Sequence, residues 1–170
     1  MRPWAKYLSF TGDPRLWAPT LLIFGIYGLF IQNFTLLVAF AMAFLQSYLI
    51  YYIIKHYIAK RPRPFEQHSE IELLDKTGHG YSFPSGHTHH STILLGMIWL
   101  MFLPANWFII VILIYNCIIG YTRMVSGCHY LSDVIFAALE AYAELFFYWY
   151  VTMDLYLNFY EMVFEFIPFF

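Results

Sequence analysis

The chain has 170 residues, of which 61% are hydrophobic, 22% aromatic and only 12% charged. A soluble domain carries about a quarter charged residues, so this composition excludes an ordinary water-facing surface and favours a membrane protein. The formal net charge of −2 excludes a basic nucleic-acid-binding surface, and we predict no nucleic-acid partner.

The first elements in chain order are an amphipathic segment and two apolar runs. Residues 1–15 mix aromatic side chains with cations, a pattern typical of a segment that lies in the membrane interface. The apolar run 16–31 follows, and because no signal-peptide pattern precedes it, we expect it to remain in the mature protein. The run 34–54 carries no charge and is close to the ~20 residues that cross a bilayer.

Three further apolar runs, at 87–103, 107–121 and 133–153, complete the predicted fold. We predict an all-α, polytopic transmembrane helix bundle of about five spans with an interfacial N-terminal segment. Residues 154–170 mix glutamates with aromatic side chains, which favours an interfacial segment over a sixth span. Because no linker or repeat divides the chain, we predict a single domain over 1–170 without an obligate protein partner.

Polar motifs occur at the ends of these runs. They are Arg61-Pro62-Arg63-Pro64, then Pro84-Ser85-Gly86-His87, and then Arg123 followed by His129 and Asp133. With five spans, all of these motifs meet at one face of the membrane. The polar chemistry of the chain is therefore predicted to lie at that face.

The second motif is predicted to open a helix and bind an anion. Ser85 is a suitable N-cap residue, and Gly86 lets the backbone approach a ligand closely. The first turn of a helix offers unpaired N–H donors and a partial positive charge, which together favour a phosphate group. His87 would then stand where it can protonate a leaving oxygen.

The other motifs add charge and a nucleophile. The guanidinium groups of Arg63 and Arg123 match phosphate oxygens in pairs. His129 and Asp133 are four residues apart at the predicted start of the fifth span, hence on one helical face. A carboxylate on one imidazole nitrogen leaves the other nitrogen free to attack phosphorus. The set predicts phosphoryl transfer without a metal or another cofactor, and the two cysteines have no metal-ligand spacing.

Together, these motifs resemble those of the type-2 phosphatidic acid phosphatase family, whose pocket is shared with the vanadium haloperoxidases. The resemblance implies a compact helical membrane fold with His129 as the nucleophile that forms a phosphohistidine. It further implies that Asp133 orients His129 and that His87 is the general acid. Binding of the phosphate is implied for four residues, Arg63, Ser85, Gly86 and Arg123.

The chain departs from the family pattern at the first motif. The family has a lysine seven residues before the arginine that corresponds to Arg63, and His56 occupies that position here. Lys55 and Lys60 are nearby, so either lysine or His56 itself is a candidate for the missing cation. Many members also have six spans, and with five predicted spans we expect this chain to lack the first of them.

Other ionisable residues in the apolar runs have less certain roles. Helical spacing places His90 on the same side as His87, at the pocket rim, and favours an interfacial position for His89. Glu140 and Glu144 continue a stripe from Asp133 along the fifth span. Such groups are functional candidates by default, although protonated carboxyls that bond to Gln46, Asn116 or tyrosines are slightly favoured.

The expected activity is hydrolysis of a terminal phosphate from a membrane lipid. Candidate substrates are phosphatidylglycerol phosphate, phosphatidic acid, undecaprenyl pyrophosphate and lipid A 1-phosphate, as in a small bacterial lipid A 1-phosphatase or phosphatidylglycerol phosphate phosphatase. The alternatives are a vanadate-dependent haloperoxidase and a non-catalytic lipid-phosphate binding or transport protein. All nine lysines and arginines fall on the motif face, which favours a cytoplasmic site, whereas the family implies a periplasmic site in the inner membrane. We follow the family.

Overall fold

The computed structural model describes residues 3–74, 80–102 and 105–165. Every regular element in these ranges is helical, which confirms the predicted all-α bundle. The helices are α1 (Pro3–Thr11), α2 (Trp17–Ile31), α3 (Thr35–Ile53), α4 (Pro64–Gln67), α5 (Gly86–Phe102), α6 (Trp107–Val125), α7 (Leu131–Phe147) and α8 (Met153–Glu165). A 3-10 turn (Pro14–Leu16) precedes α2, and π turns extend α3 (Ile54–Ile58) and join α7 to α8 (Tyr148–Thr152).

The long helices match the predicted spans. Within the described residues, four helical stretches are long and apolar enough to cross a membrane: Pro14–Ile31, Thr35–Ile58, Trp107–Val125 and Leu131–Phe164. The remaining predicted span is α5, whose 17 residues pack against α3, α6 and α7 at the centre of the bundle. Its central place explains why α5 tolerates polar side chains, because neighbouring helices rather than lipid surround them.

Small residues let the helices of the bundle approach one another closely. A Cβ atom on Gly96 of α5 would collide with Leu145 of α7, and one on Gly120 of α6 would collide with Val134. Glycines at such crossings are typical of helix packing in membranes. The crossing at Gly120 brings the end of α6 close to the start of α7, where the third motif lies.

The last helix differs from the prediction for residues 154–170. Residues 154–165 continue the α7 helix beyond a π turn and pack against α3, instead of forming a separate segment. The Gln46 side chain accepts hydrogen bonds from Thr152 (2.9 Å) and Tyr156 (3.0 Å), and the Tyr160 hydroxyl accepts one from the backbone N–H of Phe34 (3.2 Å). These contacts make 154–165 part of the bundle, and residues 166–170 lie outside the described ranges.

Helix α1 has both an outward and an inward face. Tyr7 and Phe10 are exposed, as expected for the predicted interfacial segment, whereas Ser9 is buried. The inward face packs on α6, where the Tyr115 hydroxyl donates to the Thr11 hydroxyl at 2.8 Å. The segment therefore reaches the end of the bundle where the motifs lie.

Candidate active site

The three motifs surround one cavity of about 410 Å³ at the end of the bundle. Of the residues predicted from the sequence, Arg63, Gly86, His87, Arg123 and His129 line it. Backbone hydrogen bonds join the loops that carry them: the Ser85 N–H donates to the Asp133 carbonyl at 3.2 Å, and the Ser82 N–H donates to the Arg61 carbonyl at 2.8 Å. The predicted convergence of the motifs is therefore present in the fold.

His129 and Asp133 face each other, although not within one helix. His129 precedes α7, Tyr130 is the N-cap residue, and Asp133 lies in the first turn, where its Oδ2 accepts the Tyr130 N–H at 2.8 Å. The predicted position of His129 inside the helix is thus wrong. The Nδ1 atom of His129 still lies 3.7 Å from Oδ2 of Asp133. The carboxylate therefore faces Nδ1, and Nε2 is the nitrogen left for attack on a substrate.

Burial and nearby cations determine the protonation of His129. Its side chain is almost fully buried, and this desolvation, with smaller contributions from Arg63, Arg123 and Lys55, lowers the pKa of His129 to about 4, against the opposing effect of Asp133. The imidazole is consequently neutral at physiological pH. A neutral ring with one nitrogen toward a carboxylate is the form that a histidine nucleophile requires.

The buried arginines are held by fixed partners. The Arg63 side chain donates from Nε to the Gly80 carbonyl (2.8 Å) and from Nη1 to the Cys128 carbonyl (3.1 Å). Burial lowers the pKa of Arg63, yet a guanidinium stays charged in proteins. Arg123 is 1% exposed and donates from Nη1 to Ser9 Oγ at 2.6 Å. Two oriented positive charges therefore border the cavity.

At the start of α5, the two predicted phosphate-binding residues have different surroundings. Gly86 lines the cavity and lies so close to Tyr51 that an added Cβ would be 2.6 Å from the tyrosine hydroxyl oxygen. Ser85 is fully buried, its hydroxyl is 3.1 Å from that of Thr88, and it is not among the cavity-lining residues. The glycine and the helix N-terminus thus face the cavity directly, whereas the serine supports them from behind.

Sequence reasoning did not find Asp13 as a site residue. Asp13 lines the cavity, and its Oδ2 lies 3.9 Å from Nε2 of His87. Arg15 donates to both carboxylate oxygens, from Nε (2.8 Å) and Nη2 (2.6 Å). These hydrogen bonds from Arg15, helped by His87, lower the pKa of Asp13 despite its burial. A carboxylate is therefore held beside the predicted general acid.

Arg61 is the second residue whose role was missed. Its Nη1 donates to Oδ1 of Asp133 (2.9 Å) and to Ser132 Oγ (2.7 Å), and its guanidinium lies over the Tyr130 ring at 3.8 Å. The sequence pattern identifies the motif that contains Arg61, but it indicates a role only for the second arginine, Arg63. The structure divides the pair: Arg63 borders the cavity, while Arg61 holds the carboxylate that faces His129.

Of the three candidates for the first-motif cation, Lys55 is the one that the structure places at the cavity. Lys55 is buried, lines the cavity and donates from Nζ to the Pro84 carbonyl at 3.1 Å. His56 instead packs its ring 4.4 Å from that of Tyr52 and does not line the cavity, and Lys60 is exposed. Because a π turn accommodates one extra residue, Ile54–Ile58 shifts the helix register, so that the lysine eight residues before Arg63 reaches the cavity.

The histidines of α5 and the glutamates of α7 differ from the prediction in two respects. His90 lines the cavity, as its spacing from His87 indicates. His89, which was predicted at the interface, is instead fully buried with Nδ1 2.5 Å from Oε2 of Glu140. Among the described residues, the hydrogen bonds of Gln46 and Asn116 go to partners other than Glu140 and Glu144.

Fold and site together define an integral membrane protein with a cavity at one end of a helical bundle that is lined by lysine, arginine and histidine side chains. The sequence pattern of the PAP2 superfamily matches residues 34–156 of the chain. The chain therefore belongs to the PAP2 superfamily, which confirms the resemblance to the type-2 phosphatidic acid phosphatases. No curated protein sequence and no solved structure matches it. The segment that carries Ser9, Asp13 and Arg15 lies outside the matched residues.

Proposed function

We propose that the protein is a lipid phosphatase that removes a terminal phosphate through a phosphohistidine on His129. The observation that carries the proposal is the facing pair of a buried, neutral His129 and Asp133 beside a cavity bordered by Arg63 and Arg123. A site that only bound phosphate would need the cations but not an oriented neutral imidazole opposite a general acid.

In the first half-reaction, Nε2 of His129 attacks phosphorus and the bond from phosphorus to the leaving oxygen breaks. His87 gives that oxygen a proton, so that the lipid leaves as an alcohol, or as a phosphate from a pyrophosphate. In the second half-reaction, His87 takes a proton from water, which attacks phosphorus and breaks the bond to His129. The products are the dephosphorylated lipid and inorganic phosphate.

The phosphate oxygens are held by charge and by backbone N–H groups. Arg63, Arg123 and Lys55 provide three cations, and the Gly86 amide at the start of α5 adds a helix N-terminus. Since phosphoryl transfer depends mainly on positioning and on neutralisation of charge, these groups supply what a metal provides elsewhere. We therefore propose metal-independent chemistry in this cavity. Ser85 supports the helix start that carries the amide.

Asp133 and Asp13 act through the two histidines. Asp133 keeps Nδ1 of His129 protonated and stabilises the positive ring that forms on attack, and Arg61 keeps the carboxylate ionised and in place. Asp13 favours the charged form of His87, which is the form that donates a proton. Both carboxylates are positioning residues, since neither has to touch the substrate.

The substrate is proposed to enter from the membrane. Tyr48 and Arg15 line the cavity and are partly or largely exposed, which leaves an opening beside α3 and the 3-10 turn where a lipid headgroup could enter with its tails in the bilayer. Phosphatidylglycerol phosphate, phosphatidic acid, undecaprenyl pyrophosphate and lipid A 1-phosphate all fit this description. We propose a periplasmic active site in a bacterial inner membrane, as the resemblance to the family implies.

Phosphate release by the purified protein in detergent tests this proposal. The four lipids are assayed separately, with brief EDTA treatment, and with His129→Ala beside His56→Gln as a control outside the cavity. We expect release from at least one lipid, retained with EDTA and in His56→Gln and lost in His129→Ala. Lipid binding without release from any of them would support a binding or transport protein, and vanadate-dependent bromide oxidation would support a haloperoxidase.

A further inference from the structure

A second polar cluster lies inside the bundle, apart from the catalytic residues. It consists of His89 on α5 and of Glu140 and Glu144 on α7, and one ligand atom from each lies within 4.8 Å of the others. His89 is fully buried and Glu144 is 7% exposed. Two carboxyl groups and an imidazole in a membrane span are costly unless a partner compensates them.

Within the described residues, the cluster lacks the hydrogen bonds that such burial requires. Nε2 of His89 and both carboxylate oxygens of Glu144 are buried without a hydrogen-bond partner, as is Oε1 of Glu140. The polar side chains of Thr92, Asn116 and Tyr142 in the same bundle are paired by contrast: Thr92 donates to Asn116 at 3.0 Å, and Asn116 donates to the Tyr142 hydroxyl at 2.9 Å. Unsatisfied atoms from three side chains in one place indicate a missing binding partner.

The distances identify which atoms would contact that partner. Nδ1 of His89 lies 2.5 Å from Oε2 of Glu140, too short for two ligands of one metal and right for a charge-assisted hydrogen bond. Glu140 therefore fixes the tautomer, and Nε2 presents its lone pair toward Oε2 of Glu144 at 3.8 Å. Two atoms each about 2.1 Å from a common ion are separated by roughly 3 to 4 Å.

We propose that His89, Glu140 and Glu144 form a binding site for one divalent first-row cation such as Zn²⁺ or Mn²⁺. Nε2 of His89 and the Glu144 carboxylate are the direct ligands, and Glu140 orients the imidazole through its hydrogen bond to Nδ1. Imidazole with carboxylates suits these ions, and a carboxylate behind a ligating histidine is a common arrangement. The two positive charges neutralise the two carboxylates.

The site lies directly behind the catalytic cavity. The Tyr51 and His90 side chains line that cavity, and their rings lie 5.2 and 4.8 Å from the His89 ring, centroid to centroid. An ion that joins α5 to α7 here would hold the helix whose first turn binds phosphate. It takes no part in phosphoryl transfer, so loss of the ion and loss of the phosphohistidine chemistry are separate outcomes.

Metal analysis of the purified protein in detergent tests the site. The wild type is dialysed against Zn²⁺ or Mn²⁺, desalted and analysed for bound metal, beside Glu144→Gln, His89→Gln and the control Glu161→Gln on α8. We expect about one ion per chain in the wild type and in Glu161→Gln, and at least a tenfold lower content in the two cluster variants. Zn²⁺ should raise the melting temperature of the wild type and of Glu161→Gln, but not that of Glu144→Gln or His89→Gln.

Two results would overturn the proposal. The first is a wild type that binds no ion and shows no thermal shift with Zn²⁺ or Mn²⁺. The second is equal metal content in wild type and Glu144→Gln, since the ion would then be bound elsewhere. We expect Glu144→Gln to fold, because removal of an unpaired buried carboxylate is neutral or stabilising when no ion is bound. A lack of metal in this variant would therefore reflect loss of the ligand and not loss of the fold.

Discussion

Replacement of Lys55 by methionine tests the register that the π turn imposes on the first motif. The methionine side chain is close to that of lysine in length but carries no charge. Lys55 is 8% exposed and its Nζ already bonds to the Pro84 carbonyl at 3.1 Å, so its charge is weakly screened and held beside the anion-binding turn. We therefore expect Lys55→Met to weaken stabilisation of the phosphoryl group in the transition state.

The size of the effect follows from the kind of contact. A hydrogen bond that involves a charged group is worth about 1.5–3 kcal/mol, and a bare charge pair at about 4 Å near a protein surface is worth about 4 kcal/mol before desolvation is subtracted. A net loss of about 2–3 kcal/mol for Lys55→Met corresponds to roughly a 30- to 150-fold lower kcat/KM. His56→Gln, which alters a ring packed on Tyr52, should stay within about twofold of wild type.

A double variant that exchanges Lys55 and His56 tests the position of the lysine while keeping the same two residue types. Lys55→His/His56→Lys restores the spacing of the family motif but moves the lysine away from the cavity. Phosphate release from the preferred lipid is measured in detergent for all variants. We expect the swap to be as impaired as Lys55→Met. Full activity in the swap, or less than a threefold loss in Lys55→Met, would refute the assignment of this cation.

The other predictions concern the groups around the two histidines. Asp13→Asn should lower kcat about tenfold, because His87 loses the carboxylate that lies 3.9 Å from its Nε2. A kcat within about twofold of wild type would contradict this role. Arg61→Gln should lower kcat about tenfold with little change in KM. Arg61→Lys should recover part of that loss, because a cation again faces Asp133. If Arg61→Lys is no more active than Arg61→Gln, the effect is purely structural. The free energy of unfolding of wild type, measured relative to that of His129→Gln, should fall by about 2 kcal/mol between about pH 7.5 and about pH 5. The reason is that the unfolded chain takes up a proton that buried His129, with its pKa of about 4, does not bind in the folded state. An unchanged difference between the two proteins would disprove the shift.

The parts of this account that the sequence predicts correctly are those that local patterns determine. Uncharged apolar runs fix the number and order of the spans, since a bilayer demands helices of that length. Once the spans are counted, their alternation brings the three motifs to one face. Arg63, Gly86, His87, Arg123 and His129 consequently line the cavity as predicted.

The parts that the sequence does not predict depend on helix rotation and on distant contacts. A π turn looks like any other apolar stretch, so the choice between Lys55 and His56 could not be made from spacing. Asp13 carries no motif, and its contact with His87 exists only because the N-terminal segment folds onto the end of the bundle. The pairing of His89 with Glu140 depends on how α5 faces α7. In each case packing, rather than local propensity, decides the outcome.

A search for the covalent intermediate tests the central claim most directly. The substrate is ³²P-labelled p-nitrophenyl phosphate, whose leaving group needs no acid, and the protein is His87→Ala, which lacks the base that activates water. The account predicts a burst of nitrophenolate and about one acid-labile, base-stable phosphoryl group per chain. It also predicts that both disappear in His87→Ala/His129→Ala. Bound phosphate that persists without His129, or turnover by His87→Ala with no bound phosphate at any time, would contradict the phosphohistidine mechanism.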